Sequence, residues 1–224
     1  DLHRAYSREG VDVIELGIPA RKPYLDGQLV SDSMVRALGA ATSLASAALL
    51  TAKIRAELPS HALVWMAYPP EAAANSFAQL AKSAGVDGVL VPTPPSTLGW
   101  LTDQLGGSGI HLLPFLGLSP AEADILVARG TSGYVMVQSA AGQTGVREHL
   151  DSRVLARVGA LREAGVSGPI LLGFGVSTAE HVRQALQAGA NGVVVGSAAL
   201  EAALRSEADV RRLICSLREA LDAG

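Results

Sequence analysis

The stretch EGVDVIELGIPARKPYLDG, residues 9–27, decides the architecture. Gly10 follows a helix-like opening, DLHRAYSRE, in the place where a chain ends a helix with a left-handed residue. The run that follows is apolar almost throughout, as in a strand buried on both faces, yet it carries Glu15. The same punctuation of helix, Gly, short step and β-branched run returns in AGVDGVLVP (84–92), RGTSGYVMV (129–137), AGVSGPILLGFG (164–175) and AGANGVVVGS (188–197). With HALVWMAY (61–68) and IHLLPFLG (110–117) the readable strands number seven.

Amphipathic segments alternate with these strands. Ser119-Pro120-Ala121-Glu122 and Ser177-Thr178-Ala179-Glu180 read as helix N-caps with capping boxes, and Ser206 with Asp209 opens a last helix over 207–222. Strand–helix alternation at this spacing predicts right-handed βαβ units and a parallel sheet. The fold class expected is α/β, a (β/α)8 barrel with its first βα unit absent from the sequence, in one domain over 1–224. Seven strands would leave two unpaired edges.

Composition narrows the function. The chain has 224 residues, 49% of them hydrophobic, so it can bury a large core. A net charge of −3 with no basic run speaks against nucleic acid. No apolar stretch reaches the roughly 20 residues of a membrane span, so a membrane is not an expected partner. One cysteine, Cys215, cannot form an internal disulfide, which fits a cytoplasmic setting; the helical pattern around it predicts a packing role. His3, His61, His111, His149 and His181 are scattered without ligand spacing, so no metal is expected, and boundary or surface roles suit most of them.

Side chains alternate along a strand, so Val13, Glu15 and Gly17 share one face and Ile14 and Leu16 the other. The first set suits a barrel lumen, with Glu15 near the C-terminal mouth, its pKa raised by aliphatic neighbours for acid–base work. A buried structural carboxylate paired with an arginine is the other reading. Asp26 lies in the following loop, which can fold over the mouth; alone, Asp26-Gly27 also reads as a turn. GFGVS (173–177), VVGSA (194–198) and AAGQTG (140–145) each follow a strand. The backbone N–H groups of Gly175, Gly196 and Ser197 are placed to meet a phosphate at the start of a helix near Ala198.

IELGIP, the later DG, GQTG, GFGVS and GSA, in this order, resemble the tryptophan synthase α subunit and the indole-3-glycerol phosphate lyases, in register over nearly the whole chain. The resemblance implies a lyase that splits indole-3-glycerol phosphate into indole and glyceraldehyde 3-phosphate without a cofactor. It implies catalytic roles for Glu15 and Asp26, phosphate ligation at Gly145, Gly175, Gly196 and Ser197, a mobile-loop Thr144, and Tyr68 in the indole pocket. It also implies a phosphorylated small-molecule substrate and a tryptophan synthase β subunit as partner. There are departures. The family loop P-F-S-D-P-L-A-D-G-P is PARKPYLDGQ here, so Ala20-Arg21-Lys22 reverses the charge where two-subunit enzymes contact the β subunit. Met136 replaces a tyrosine commonly found near the glutamate, VPTPPS (91–96) lacks the aspartate of the family's P-D-L-P-P, and QSAAGQTG lacks the arginine and serine often seen before the mobile loop's glycine. Three alternatives stay open: a lyase or aldolase acting on another phosphorylated substrate, an aldolase using Lys22 as a Schiff base, and a non-catalytic barrel that binds a sugar phosphate.

Overall fold

The computed structural model describes residues 2–139 and 152–224. An opening helix, Leu2–Arg8, leads into β1 (Val13–Gly17), followed by β2 (Ala62–Met66), β3 (Gly88–Leu90), β4 (His111–Leu113), β5 (Phe115–Leu116), β6 (Val135–Gln138), β7 (Ile170–Gly173) and β8 (Gly192–Val193). Every pairing is parallel, in the order β1-β2-β3-β4 and β5-β6-β7-β8. β4 and β5 are one predicted strand cut by Pro114, which has no N–H to give to a ladder. The sheet carries on across the cut, because the Met136 N–H donates to the Pro114 carbonyl at 2.9 Å. Seven strand runs therefore become eight segments. Among the described residues β1 pairs only with β2 and β8 only with β7, leaving the two expected edges.

The helix layer bridges those edges. Tyr6 and Val11 pack with Ala202, Val210 and Ile214, Arg211 bonds Glu9 at 2.6 Å, and Arg218 bonds Asp12 at 3.0 Å. Lumen and outer faces divide as the alternation predicts. Val13 joins Val64, Leu90, Leu113, Phe115, Met136 and Phe174 inside, while Ile14 and Leu16 pack outward with Ile54 and Leu63.

The base of the sheet uses one device twice. Arg55, on the helix Leu44–Glu57, donates to the carbonyls of His61 and Gly85 and to Asp87, whose carboxylate also takes the Leu63 N–H at 2.7 Å. Arg162, on the helix Ser152–Glu163, donates to the carbonyls of Val166 and Gly168 and to Asn191, whose side-chain oxygen takes the Ile170 N–H at 2.9 Å. In both copies the acceptor stands just before the glycine that opens the next strand, in AGVDG and AGANG.

Several local expectations shift. Gly10, Gly85, Gly165 and Gly189 are left-handed as read, but Gly130 ends its helix at φ −87°. The helix Glu122–Arg129 is not capped by Ser119: it starts after Ala121, whose N–H donates to Asp124 at 3.1 Å. Asp124 also takes the Ser96 N–H and hydroxyl, so the loop after β3 sets this start. Thr178, not Ser177, caps the helix Ala179–Gln187, taking the His181 N–H at 3.2 Å; Glu180 turns instead to Arg183. His181 is buried, not superficial, and its ring nitrogen accepts the Ser177 N–H. On the final helix, Glu207–Asp222, the buried face runs through Val210, Ile214 and Leu217, which leaves Cys215 exposed against the packing role expected for it.

Candidate active site

Glu15, Gly17, Asp26, Tyr68, Met136, Gly175, Gly196 and Ser197 line one cavity of about 330 Å³ at the C-terminal ends of the strands. β1 projects Glu15 into it, because positions 13, 15 and 17 face the lumen. Its wall around the acid is apolar, with Leu25, Leu90, Phe115 and Phe174. Burial therefore pushes the Glu15 carboxyl up to about 7, the nearby Asp26 adds to this, and a long hydrogen bond from the Tyr134 hydroxyl, at 3.5 Å, opposes it. Among the described residues Glu15 has no arginine partner; its hydrogen bond comes from Tyr134.

The loop after β1 folds back over the mouth. Ile18 N–H donates to the Met66 carbonyl at 2.8 Å, and Tyr24 reaches the Pro92 carbonyl at 3.1 Å. Asp26 is left 4% exposed and accepts the Tyr68 hydroxyl at 2.8 Å. Gly27 is not part of a left-handed turn: it has φ −73° and starts the helix Gln28–Gly39. The Asp-Gly pair thus places a carboxylate in the cavity. Burial first, and the carboxylate next, raise the Tyr68 phenol well above its ordinary pKa, which keeps it a donor. Arg21 and Lys22 point to solvent, while Ala20 is buried. Lys22, Lys53 and Lys82 are all exposed and none lines the cavity, which removes the Schiff-base alternative's nucleophile.

The other end of the cavity is backbone. The helix Ser197–Arg205 starts one residue earlier than read, with Gly196 at its N-cap, and among the described residues no side chain caps it. Its first N–H groups and the positive end of its dipole face the cavity. Opposite runs Gly173-Phe174-Gly175, where Phe174 holds φ +74° and Gly175 φ +99°. A left-handed phenylalanine costs about 1–2 kcal/mol, and Ser139 holds it there: its hydroxyl meets the carbonyls of Gly173 and Phe174, and its N–H donates to Gly173 at 2.8 Å. Thr144 and Gly145 lie outside the described residues.

Four residues of this site escape a reading by motif. Tyr134 supplies the phenol that Met136 had been read as lacking; both lie on one face of β6's approach, two apart, and that spacing was the available signal. Phe174 sits inside GFG and was passed over for the glycines beside it. Met34 and Met66 line the cavity without any motif. Among the described residues no group of three His, Cys, Asp or Glu side chains is placed to share a metal ion.

The sequence pattern of the family described as "Tryptophan synthase alpha chain" matches residues 2–222. The chain belongs to that family. It is 38% identical to the tryptophan synthase alpha chain of Laribacter hongkongensis over 231 residues, covering 99% of this chain and 87% of the relative. It is 31% identical to that of Synechococcus elongatus over 223 residues, covering 97% and 84%. The α2β2 tryptophan synthase complex of Pyrococcus furiosus contains a chain with the same fold, at a TM-score of 0.84 and 28% identity, covering 97% of this chain and 90% of that one. A chain of Mycobacterium tuberculosis tryptophan synthase shares the fold at a TM-score of 0.87 and 23% identity, covering 100% and 86%. The seven strand runs described above are thus those of a tryptophan synthase α barrel.

Proposed function

We propose that this member of the tryptophan synthase α family cleaves indole-3-glycerol phosphate to indole and glyceraldehyde 3-phosphate, and that residues 1–224 act as one catalytic domain. The observation that carries the reading is a single cavity with the buried Asp26 and half-buried Glu15 carboxylates at one end and an uncapped helix N-terminus at the other. Such a cavity suits a substrate with a polarisable N–H on an apolar ring and a phosphate on its tail.

Glu15, whose carboxyl is pushed up to about 7 and so exchanges a proton readily near neutral pH, gives its proton to indole carbon 3. The ring becomes an indolenine, and Asp26, held by Tyr68, accepts the ring N–H and stabilises its positive charge. Ionised Glu15 then takes the proton of the hydroxyl on the side-chain carbon next to the ring. The carbon–carbon pair returns to the ring as the aldehyde forms. One proton leaves Glu15 and one comes back, so no oxidant, water or cofactor is consumed. Gly175, Gly196 and Ser197 hold the phosphate through backbone N–H groups, and we assign Gly145 and Thr144 the same ligand and loop roles from the resemblance.

A cytoplasmic setting fits the single free cysteine. No single described helix is long and apolar enough to cross a membrane. A β subunit is the partner to test, because the Pyrococcus furiosus relative comes from an α2β2 complex; on this chain the docking loop would offer Arg21 and Lys22. The experiment is indole release from indole-3-glycerol phosphate, by this chain alone and then with a tryptophan synthase β chain. Release in either condition supports the reaction, and a sharp rise on mixing supports the partner. A folded protein that releases no indole in both would overturn the reading.

A further inference from the structure

The sequence has three methionines, and all three line the cavity that holds Glu15 and Asp26. They come from separate elements: Met34 from the helix Gln28–Gly39, Met66 from the end of β2, Met136 from β6. Met34 and Met66 pack with Leu25 and Tyr68 near Asp26, whereas Met136 packs with Phe115 and Phe174 across the lumen.

Each strand methionine also has a glycine beside it. Met66 stands in register with Gly17, where an added Cβ would meet nothing within 4 Å. Met136 lays its methyl over Gly173, in the space a Cβ there would need. A methionine side chain is unbranched, has three torsions and carries a polarizable sulfur, so it repacks against a new shape at little cost. Met66 has open space beside it at Gly17, and Met136 fills the hollow over Gly173 with a flexible side chain, so both can shift to make a wall that yields.

Resting on the lyase reading above, we propose that Met34, Met66 and Met136 set the breadth of the site, so that it takes indoles bearing a methyl or chloro group on the ring as well as the unsubstituted ring. A rigid apolar pocket changes kcat/KM by about 10- to 200-fold for one methylene. This wall should hold the ratio below about tenfold.

The test runs the reaction backwards, condensing glyceraldehyde 3-phosphate with indole, 5-methylindole or 6-chloroindole. The expected result is a kcat/KM for each substituted indole within about tenfold of indole itself. Met66→Leu and Met136→Leu, singly and together, keep volume but stiffen the wall, and should raise the discrimination at least tenfold whatever they do to the rate with indole. Discrimination above about tenfold in the unaltered protein, or a ratio that none of the leucine variants moves, overturns the proposal. If no indole is turned over at all, the lyase reading fails separately. The breadth is then read by calorimetry, as the ratio of dissociation constants for indole and 6-chloroindole in the presence of inorganic phosphate, with the same tenfold boundary.

Discussion

The two ends of the barrel are built on different plans. At the base, Arg55 with Asp87 and Arg162 with Asn191 repeat one arrangement, down to the strand-opening N–H that each acceptor takes. The mouth is assembled from unlike parts: a glutamate from β1, an aspartate from a loop, a strained Gly-Phe-Gly turn and the bare start of the helix Ser197–Arg205. At the base each acceptor takes a strand-opening N–H, while the mouth presents carboxylates and N–H groups on a cavity wall. Stability and activity should therefore separate along the barrel axis.

Glu15→Gln should break the mouth hardest. A lost general acid–base group costs about 10²–10⁴ in rate, and we expect kcat to fall toward the larger figure with phosphate binding retained, as steady-state kinetics and phosphate titration would report. The same variant should be more stable at pH 8. Unfolded, Glu15 titrates near its ordinary 4.5; folded, it is pushed up to about 7. Between those values the native state holds a proton that the unfolded state has released, so stability falls as pH rises through that window, by about 3 kcal/mol. Denaturant melts should show Glu15→Gln gaining about that much at pH 8 and nothing at pH 4.

Asp26→Asn should cost less, about 10²–10³ in kcat, because it removes charge stabilisation but leaves an acceptor for Tyr68. Equal binding of indole by variant and parent, with only turnover reduced, would place the effect in the transition state. Ser197→Pro takes away one N–H at the helix start while suiting the first helical position. A hydrogen bond to a charged group contributes about 1.5–3 kcal/mol, so KM should rise roughly ten- to hundredfold with kcat little changed. A kcat loss at constant KM would show that this end does not hold the phosphate.

The smallest effect, and the sharpest for the comparison, belongs to the base. Asn191→Ala strips the acceptor from the buried Ile170 N–H and from Arg162, which should lower stability by about 1–3 kcal/mol. Well below the melting temperature, kcat/KM should match the parent. A base variant that loses activity while staying folded would show that the two ends are coupled.

The contrast also explains what could be read from the chain. Punctuating glycines and buried apolar runs announced every strand, since each depends on local steric and burial rules that residue type reports directly. Glu15 was legible for the same reason: an acid inside an apolar run needs an explanation. Tyr134 was not, because its partner lies 119 residues away and only barrel closure brings them together. Ser139 carries no motif of its own, and its value depends on two carbonyls of a turn more than thirty residues on. The shifted helix starts at Ala121 and Thr178 have a similar cause. Capping signals were abundant there, and the choice among them fell to packing, in one case to Ser96 on a different loop.

Pro114 has a mechanical meaning. It divides the sheet into two four-stranded halves with the Met136 N–H reaching its carbonyl across the cut, and the lumen cluster draws Val64, Leu90 and Leu113 from one half and Phe115, Met136 and Phe174 from the other. The cavity lies on that seam. A ligand lodged there would act as a clasp that touches both half-barrels at once, so occupancy should stabilise the two halves together.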